Sequence, residues 1–243
     1  MFQAFRLEAG GTQARRCGMA ERILLINPNS SISCTEGIAA AVAPYAAPGL
    51  PRLDVVRIEE GPPAIVTWRH WYGIAEPLCR MVEREKADAY ILACVSDPGL
   101  EAVRTATDKP VFGPLRCAVA AAMMRGERFG IVAFTDKSKP RQRRALQSMG
   151  VEDRMAGIVP LNLDMEVLTD PVAPRARIAA AAQELVAMGA ESIILGCAGM
   201  AGHRNFAEDA CGVPVIEPCQ AAVAQAILAV VSARGDRMRI AAE

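Results

Sequence analysis

Two cysteines stand where a thiol can exchange a proton with a carbon acid. Cys94 closes the apolar run Tyr90-Ile91-Leu92-Ala93, and Cys197 closes Ile193-Ile194-Leu195-Gly196. Each is followed by a turn that starts a helix. Ser96 or Asp97 can cap the first of these, with Pro98 at its opening position. Ala198 and Gly199 in the second are small enough for a ligand to approach the backbone. A thiol beside a helix N-terminus feels free N–H groups and the positive end of the dipole, which favour the thiolate. Lowering an ordinary thiol pKa of about 8.5 by one or two units gives a base near neutral pH. The same N–H groups would hold a carboxylate or an imide-type oxygen. Two such thiols on opposite walls of a cleft suit one reaction: a proton leaves one face of a carbon and returns on the other. One sulfur is then thiolate and the other thiol, and the roles exchange with the enantiomer. The ordinary role of a strand-end cysteine is to fill core. The matched setting separates this pair from Cys34, Cys79, Cys117, Cys211 and Cys219, which read as core or surface thiols.

The elements that would position the pair alternate between strand and helix. Strands are predicted at 23–26, 53–58, 89–94 and 111–112, with helices near 34–42, 72–86 and 98–106 between them. Apolar runs without polar alternation mark parallel strands buried on both faces, and the helices between them imply right-handed crossovers. The second half repeats the first: Glu127-Arg128-Phe129-Gly130-Ile131-Val132 lies 106 residues after Glu21-Arg22-Ile23-Leu24-Leu25-Ile26, Cys197 lies 103 after Cys94, and Pro214-Val215-Ile216 lies 104 after Pro110-Val111-Phe112. Three landmarks in one order at nearly one offset point to an internal duplication. The expected fold is therefore α/β, with two pseudo-symmetric lobes, each a short parallel sheet flanked by helices. The site is expected in the cleft between them, beyond the carboxyl ends of the strands. Residues 20–115 plus 213–243 would form the first lobe, with a returning C-terminal helix, and 116–212 the second.

Composition narrows the function class. Of 243 residues, 52% are apolar and 22% charged, with 27 basic against 27 acidic side chains. That balance suits a globular protein and lacks the basic field of a nucleic-acid binder. No apolar run reaches the length of a membrane span. Eight cysteines without a C-x-x-C pair, and only two histidines, argue against a zinc site or a secreted disulfide framework. The thiols fit a reducing cytoplasm. Residues 1–19 lack the apolar centre of a secretory signal. They read as an extension with little order, with Met19 as the natural start or the extension as a flexible tail.

Three segments together resemble the hydantoin racemases of the aspartate/glutamate racemase superfamily: Ile26-Asn27-Pro28-Asn29-Ser30-Ser31, Ala93-Cys94-Val95-Ser96-Asp97-Pro98-Gly99-Leu100 and Leu195-Gly196-Cys197-Ala198-Gly199-Met200-Ala201. The resemblance covers about 23–230. It implies a cleft between two α/β lobes, no metal or organic cofactor, and Cys94 with Cys197 as paired acid and base. It also implies a small-molecule substrate: a 5-substituted hydantoin, allantoin or a related carbon acid. By analogy Asn29, Ser30, Ser96, Asp97, Thr135, Ala198 and Gly199 bind the substrate. Loop and cap chemistry is the competing role for Asn29, Ser30 and Thr135. A homo-oligomer is the default for such an enzyme.

The chain departs from the family pattern in two places. Gly113-Pro114-Leu115-Arg116-Cys117 replaces a Glu-rich stretch, and an aromatic cluster, Trp68-Arg69-His70-Trp71-Tyr72, follows Ile65-Val66-Thr67. The cluster could line the cleft, contact a second subunit or pack in the core. His70 and His203 read as satisfied structural residues, and Lys137, Lys139, Arg141, Arg143 and Arg144 as the solvated face of a helix. Competing functions are an aspartate-type amino-acid racemase, a decarboxylase that needs only one thiol, and a non-catalytic small-molecule binding protein.

Overall fold

The computed structural model describes residues 5–7 and 21–240. The first sheet contains β1 (Phe5–Leu7), β2 (Arg22–Asn27), β3 (Arg52–Arg57), β4 (Ala89–Leu92) and β5 (Val111–Phe112), in the order β1-β3-β2-β4-β5. Between these strands lie α1 (Ile32–Val42), α2 (Trp68–Gly73), α3 (Ala75–Arg84) and α4 (Leu100–Val103), and α5 (Pro114–Met123) follows β5. The second sheet contains β6 (Phe129–Ala133), β7 (Met155–Pro160), β8 (Ser192–Gly196) and β9 (Val215–Ile216), in the order β7-β6-β8-β9. Its helices are α6 (Lys139–Met149), α7 (Met165–Thr169), α8 (Arg175–Ala187), α9 (Arg204–Cys211) and α10 (Pro218–Ile240), with a 3-10 segment at Ala198–His203.

The pairings β2–β3, β2–β4 and β4–β5, and β6–β7, β6–β8 and β8–β9, are all parallel. The two-lobed α/β architecture is therefore as expected. Burial explains the strands. Ile23 and Leu25 of β2 face a core completed by α1 and α10, while Leu24 and Ile26 face α3. In the second lobe Ile193 and Leu195 of β8 face α8, while Ile194 packs with β6 and α5. Each such side chain contributes about 1.5–3 kcal/mol on burial.

Each lobe lends its last helix to the other. α5 follows β5 of the first sheet but packs Leu115, Ala118, Val119 and Ala122 on the second. α10 follows β9 of the second sheet but packs Cys219, Ala222, Val223 and Ala226 on the first. This exchange knits the halves together. It also moves the boundary expected at 213, since Val215–Ile216 pairs with β8 in the second sheet.

Three local expectations change. Phe5–Leu7, inside the extension expected to lack order, pairs antiparallel with the open edge of β3; the other expectations for residues 1–19 lie outside the described residues. The helix expected over 72–86 breaks at Ile74 into α2 and α3, with Thr67 capping α2 through an N–H bond from His70. The helix expected over 98–106 shrinks to one turn. Asp97 at φ 48° and Gly99 at φ 70° lie in the left-handed region, which a helix cannot continue through.

Candidate functional site

The carboxyl ends of β2, β4, β6 and β8 meet around one narrow cavity. Its wall includes Asn29, Cys34, Cys94, Ser96, Arg141, Cys197 and Ala198, with Ile65, Phe134 and Met165 as apolar panels. Cys94 and Cys197 are both partly exposed to it, one from the loop after each lobe's central strand pair. Its volume is about 30 Å³. That is room for one or two waters, far below the several hundred Å³ of a small-molecule pocket. A substrate therefore enters only if a wall moves.

The first lobe's contribution begins in the Asn-rich turn. Asn27 Nδ2 donates to Asn29 Oδ1 at 3.1 Å and to Thr35 Oγ1 at 2.9 Å. The Ser31 N–H donates to Asn29 Oδ1 at 2.9 Å, and the Cys34 N–H to Ser31 Oγ at 3.2 Å. With its oxygen fixed in this way, Asn29 turns its amide nitrogen toward Cys34 Sγ, 3.8 Å away. Ser30 and Thr135 do not line the cavity. Ser30 gives its N–H to Pro62 O, and Thr135 Oγ1 is buried without a partner.

Asp97 has a different task from the expected cap of its own helix. Its carboxylate accepts N–H bonds from Leu115 at 2.9 Å and Arg116 at 3.1 Å, so it caps α5 and docks that helix behind Cys94. Gly113 makes room for it: a Cβ there would meet Asp97 Cγ at 2.4 Å. Burial pushes the Asp97 carboxyl up to about 6 against these stabilising bonds.

α6 joins the two thiol turns. Gln142, fully buried, donates from Nε2 to Val95 O at 3.3 Å and to Gly196 O at 2.9 Å. One amide thus ties the residue after Cys94 to the residue before Cys197. Glycine is required at 196, because a Cβ would meet Val132 O at 2.5 Å and Gln142 Nε2 at 2.8 Å. Arg141 precedes Gln142 and is 3% exposed, which corrects its assignment to a solvated helix face; Arg143 and Arg144 do lie exposed. Neither histidine lines the cavity. His70 Nδ1 lies 3.0 Å from Ala64 O, and His203 Nε2 lies 3.2 Å from Leu168 O.

The expected lowering of the thiol pKa values is overturned. Burial pushes Cys94 up to about 11, against the Ser96 hydroxyl 3.7 Å away and the Arg141 guanidinium, which both favour the thiolate. Cys197 is pushed well above its ordinary value by burial and by the neighbouring Cys34 thiol, opposed by a hydrogen bond with the Gly199 backbone. Cys34, buried in the same wall, is pushed up to about 12, burial again being the main cause. The helices that follow the thiols are too short or too displaced for their dipoles to outweigh desolvation.

Sequence reasoning missed Cys34, Ser138, Arg141 and Gln142. Cys34 and Ser138 both line the cavity and lie 104 residues apart, within the spread of the repeat offsets. That relation could have found them. The charged text of α6 gave no sign that two of its side chains are buried.

Seven cysteines are free thiols, and no group of three or more His, Cys, Asp or Glu side chains is arranged to hold a metal, among the described residues. Among the same residues no helix is long and apolar enough to cross a membrane.

Residues 23–226 match the family model for Asp/Glu/hydantoin racemases. A hydantoin racemase of Paenarthrobacter aurescens is 36% identical over 217 residues, covering 86% of this chain and 91% of the relative. One from Pseudomonas sp. (strain NS671) is 35% identical over 210 residues, covering 83% of each chain. The structure of an allantoin racemase from Klebsiella pneumoniae superposes with a TM-score of 0.75 at 30% identity, covering 85% of this chain and 86% of that one.

Proposed function

The chain belongs to the Asp/Glu/hydantoin racemase family, whose members are isomerases, and from that premise we propose that it inverts a carbon-acid stereocentre through Cys94 and Cys197. The observation that carries the reading is that both thiols, one from each lobe, line one narrow cavity. The substrate class is a 5-substituted hydantoin or allantoin. In these rings the C5 hydrogen is flanked by a carbonyl and a nitrogen, so its removal gives a planar enolate.

One thiolate takes the C5 proton as the C–H electron pair moves toward the carbonyl oxygen. The opposite thiol then delivers its proton to the other face, leaving the first sulfur protonated and the second ionised. The opposite enantiomer runs the same path backwards. The reaction asks nothing of the chain beyond one acid and one base, each within reach of the same carbon. Ser96, Asn29 and Ala198 line the cavity and supply polar or small contacts to the ring. Asp97 acts through α5, and Gly199 through the Cys197 sulfur. A reducing compartment such as the cytoplasm suits this chemistry, because oxidation of either thiol removes an acid or base.

Loss of optical rotation of pure enantiomers of 5-substituted hydantoins and of allantoin tests the reading. Wild-type protein is expected to racemise at least one pair from either enantiomer. Silence across the panel contradicts the substrate class, and full racemisation by Cys94→Ser or Cys197→Ser contradicts the two-thiol mechanism.

A further inference from the structure

Arg141 bridges two parts of the molecule that must change together. Its Nη1 donates to Val66 O at 2.7 Å and to Lys137 O at 2.7 Å, and its Nη2 donates to Ile65 O at 3.2 Å. Ile65 and Val66 belong to the segment 64–72 of the first half of the chain, which reaches the cavity at Ile65 and leads into α2; Arg141 belongs to the second lobe. The same segment is held at Trp71, whose Nε1 donates to Ser96 O at 2.9 Å, and at Tyr72, whose hydroxyl accepts from Arg144 at 2.7 Å. Arg141 also lies 5.9 Å from the centre of the Trp68 ring. The buried Nε–H of Arg141 has no hydrogen-bond partner. The side chain lines the cavity alongside Cys94.

We propose that Arg141 is a positioning residue that couples closure of the 64–72 segment over the cavity to negative charge on Cys94. With the segment down, its two carbonyls fix the guanidinium in the cavity wall, where it favours the thiolate. With the segment raised to admit substrate, those two bonds are lost and the charge is held less firmly in the wall. Base strength is thus greatest over an enclosed substrate. The charged and titratable groups around Cys94 come from every side: Asp97 on its own turn, Arg141 on α6, Cys34 on α1, Cys197 beside the 198–203 segment and Cys219 on α10. Arg141 is the cation among them.

The inference rests on the two-thiol reading only in calling Cys94 a base, and its test needs no substrate. Trp68 and Trp71 are the protein's two tryptophans, and both lie in α2, so intrinsic fluorescence reports this segment alone. Arg141→Lys and Arg141→Gln both lose the planar double hold on Ile65 and Val66, but only lysine keeps the charge. In both variants tryptophan emission is expected to move to longer wavelength. Alkylation of Cys94 by iodoacetamide at pH 8, read by mass spectrometry of its peptide, is expected to run about tenfold faster in Arg141→Lys than in Arg141→Gln, the effect of one nearby opposite charge. The same pair of changes at Arg143, exposed on the same helix, should differ by less than about twofold. Equal alkylation of Cys94 in the two Arg141 variants, an equal effect at Arg143, or unchanged tryptophan emission in both Arg141 variants overturns the inference. Failure of the racemase reading appears instead as absence of substrate turnover by wild type, with these readouts unaffected.

Discussion

The turns after β4 and β8 hold equivalent places in the two lobes, yet they treat their sulfurs differently. Cys94 has the Arg141 guanidinium and the Ser96 hydroxyl to favour its thiolate. Cys197 has the Gly199 backbone, with the Cys34 and Cys94 thiols around it disfavouring a second charge. The helix caps differ too. In the first lobe Asp97, reaching from the thiol turn itself, caps α5. In the second, Glu217, just before α10, caps it through the Cys219 and Gln220 N–H groups at 3.1 and 2.6 Å. Gly113 lies at the place in the first lobe that Glu217 holds in the second, and its missing side chain leaves space for Asp97. The repeat therefore preserved the position of each sulfur but not its electrostatic surroundings. The groups that favour a thiolate are more numerous around Cys94 than around Cys197.

The largest effect should come from removing either sulfur. Cys94→Ser and Cys197→Ser are each expected to lower racemisation by at least about 10³-fold, the range of a positioned acid or base. A variant that kept a tenth of the rate would break the symmetry of the mechanism. Next comes the tie between the turns. Gln142→Leu leaves Val95 O and Gly196 O without their shared donor. It is expected to lower kcat by about 10–100-fold with a smaller change in KM, through misplacement of both sulfurs. Selective damage to one turn, seen as unequal alkylation of Cys94 and Cys197, would show that Gln142 serves only one lobe.

The raised thiol values set a pH profile. A thiol pushed up to about 11 at Cys94 stays neutral near pH 7. Its thiolate fraction, and with it kcat/KM, should rise about tenfold per unit between pH 7 and 9. A plateau already reached at pH 7 would contradict the dominance of burial. The smallest effect concerns the second lobe's cap. Burial raises the Glu217 carboxyl to about 7, above an unfolded value of about 4.3. Its charged form is thus disfavoured in the fold, so its contribution to stability falls as pH rises from about 4 to about 7. Glu217→Gln removes this dependence. Relative to wild type, the variant should gain on the order of 1–3 kcal/mol between pH 4.5 and pH 8, measured by urea unfolding.

Much of this molecule is readable from its residues. The buried strands declare themselves because Ile23-Leu24-Leu25-Ile26 and Ile193-Ile194-Leu195 are apolar on both faces, and the sulfurs follow at their ends. Arg141 and Gln142 are not readable, because they lie in a stretch whose neighbours are charged and whose burial arises only when the other lobe packs against it. Asp97 carries no local sign that it serves α5, since its partners lie 18 and 19 residues away. Thiol acidity inferred from a nearby helix start fails for a similar reason. The dipole is a local property, whereas the desolvation that overrides it is set by the packing of both lobes around the cavity.

The most direct test of the central claim is deuterium entry at the substrate's stereocentre in heavy water, followed for each enantiomer with each single-cysteine variant. If the sulfurs face opposite sides of one carbon, Cys94→Ser should still exchange the hydrogen of one enantiomer without inverting it. Cys197→Ser should do so only with the other. Exchange of the same enantiomer by both variants, or of both enantiomers by either one, would contradict a pair of thiols working across a single planar intermediate.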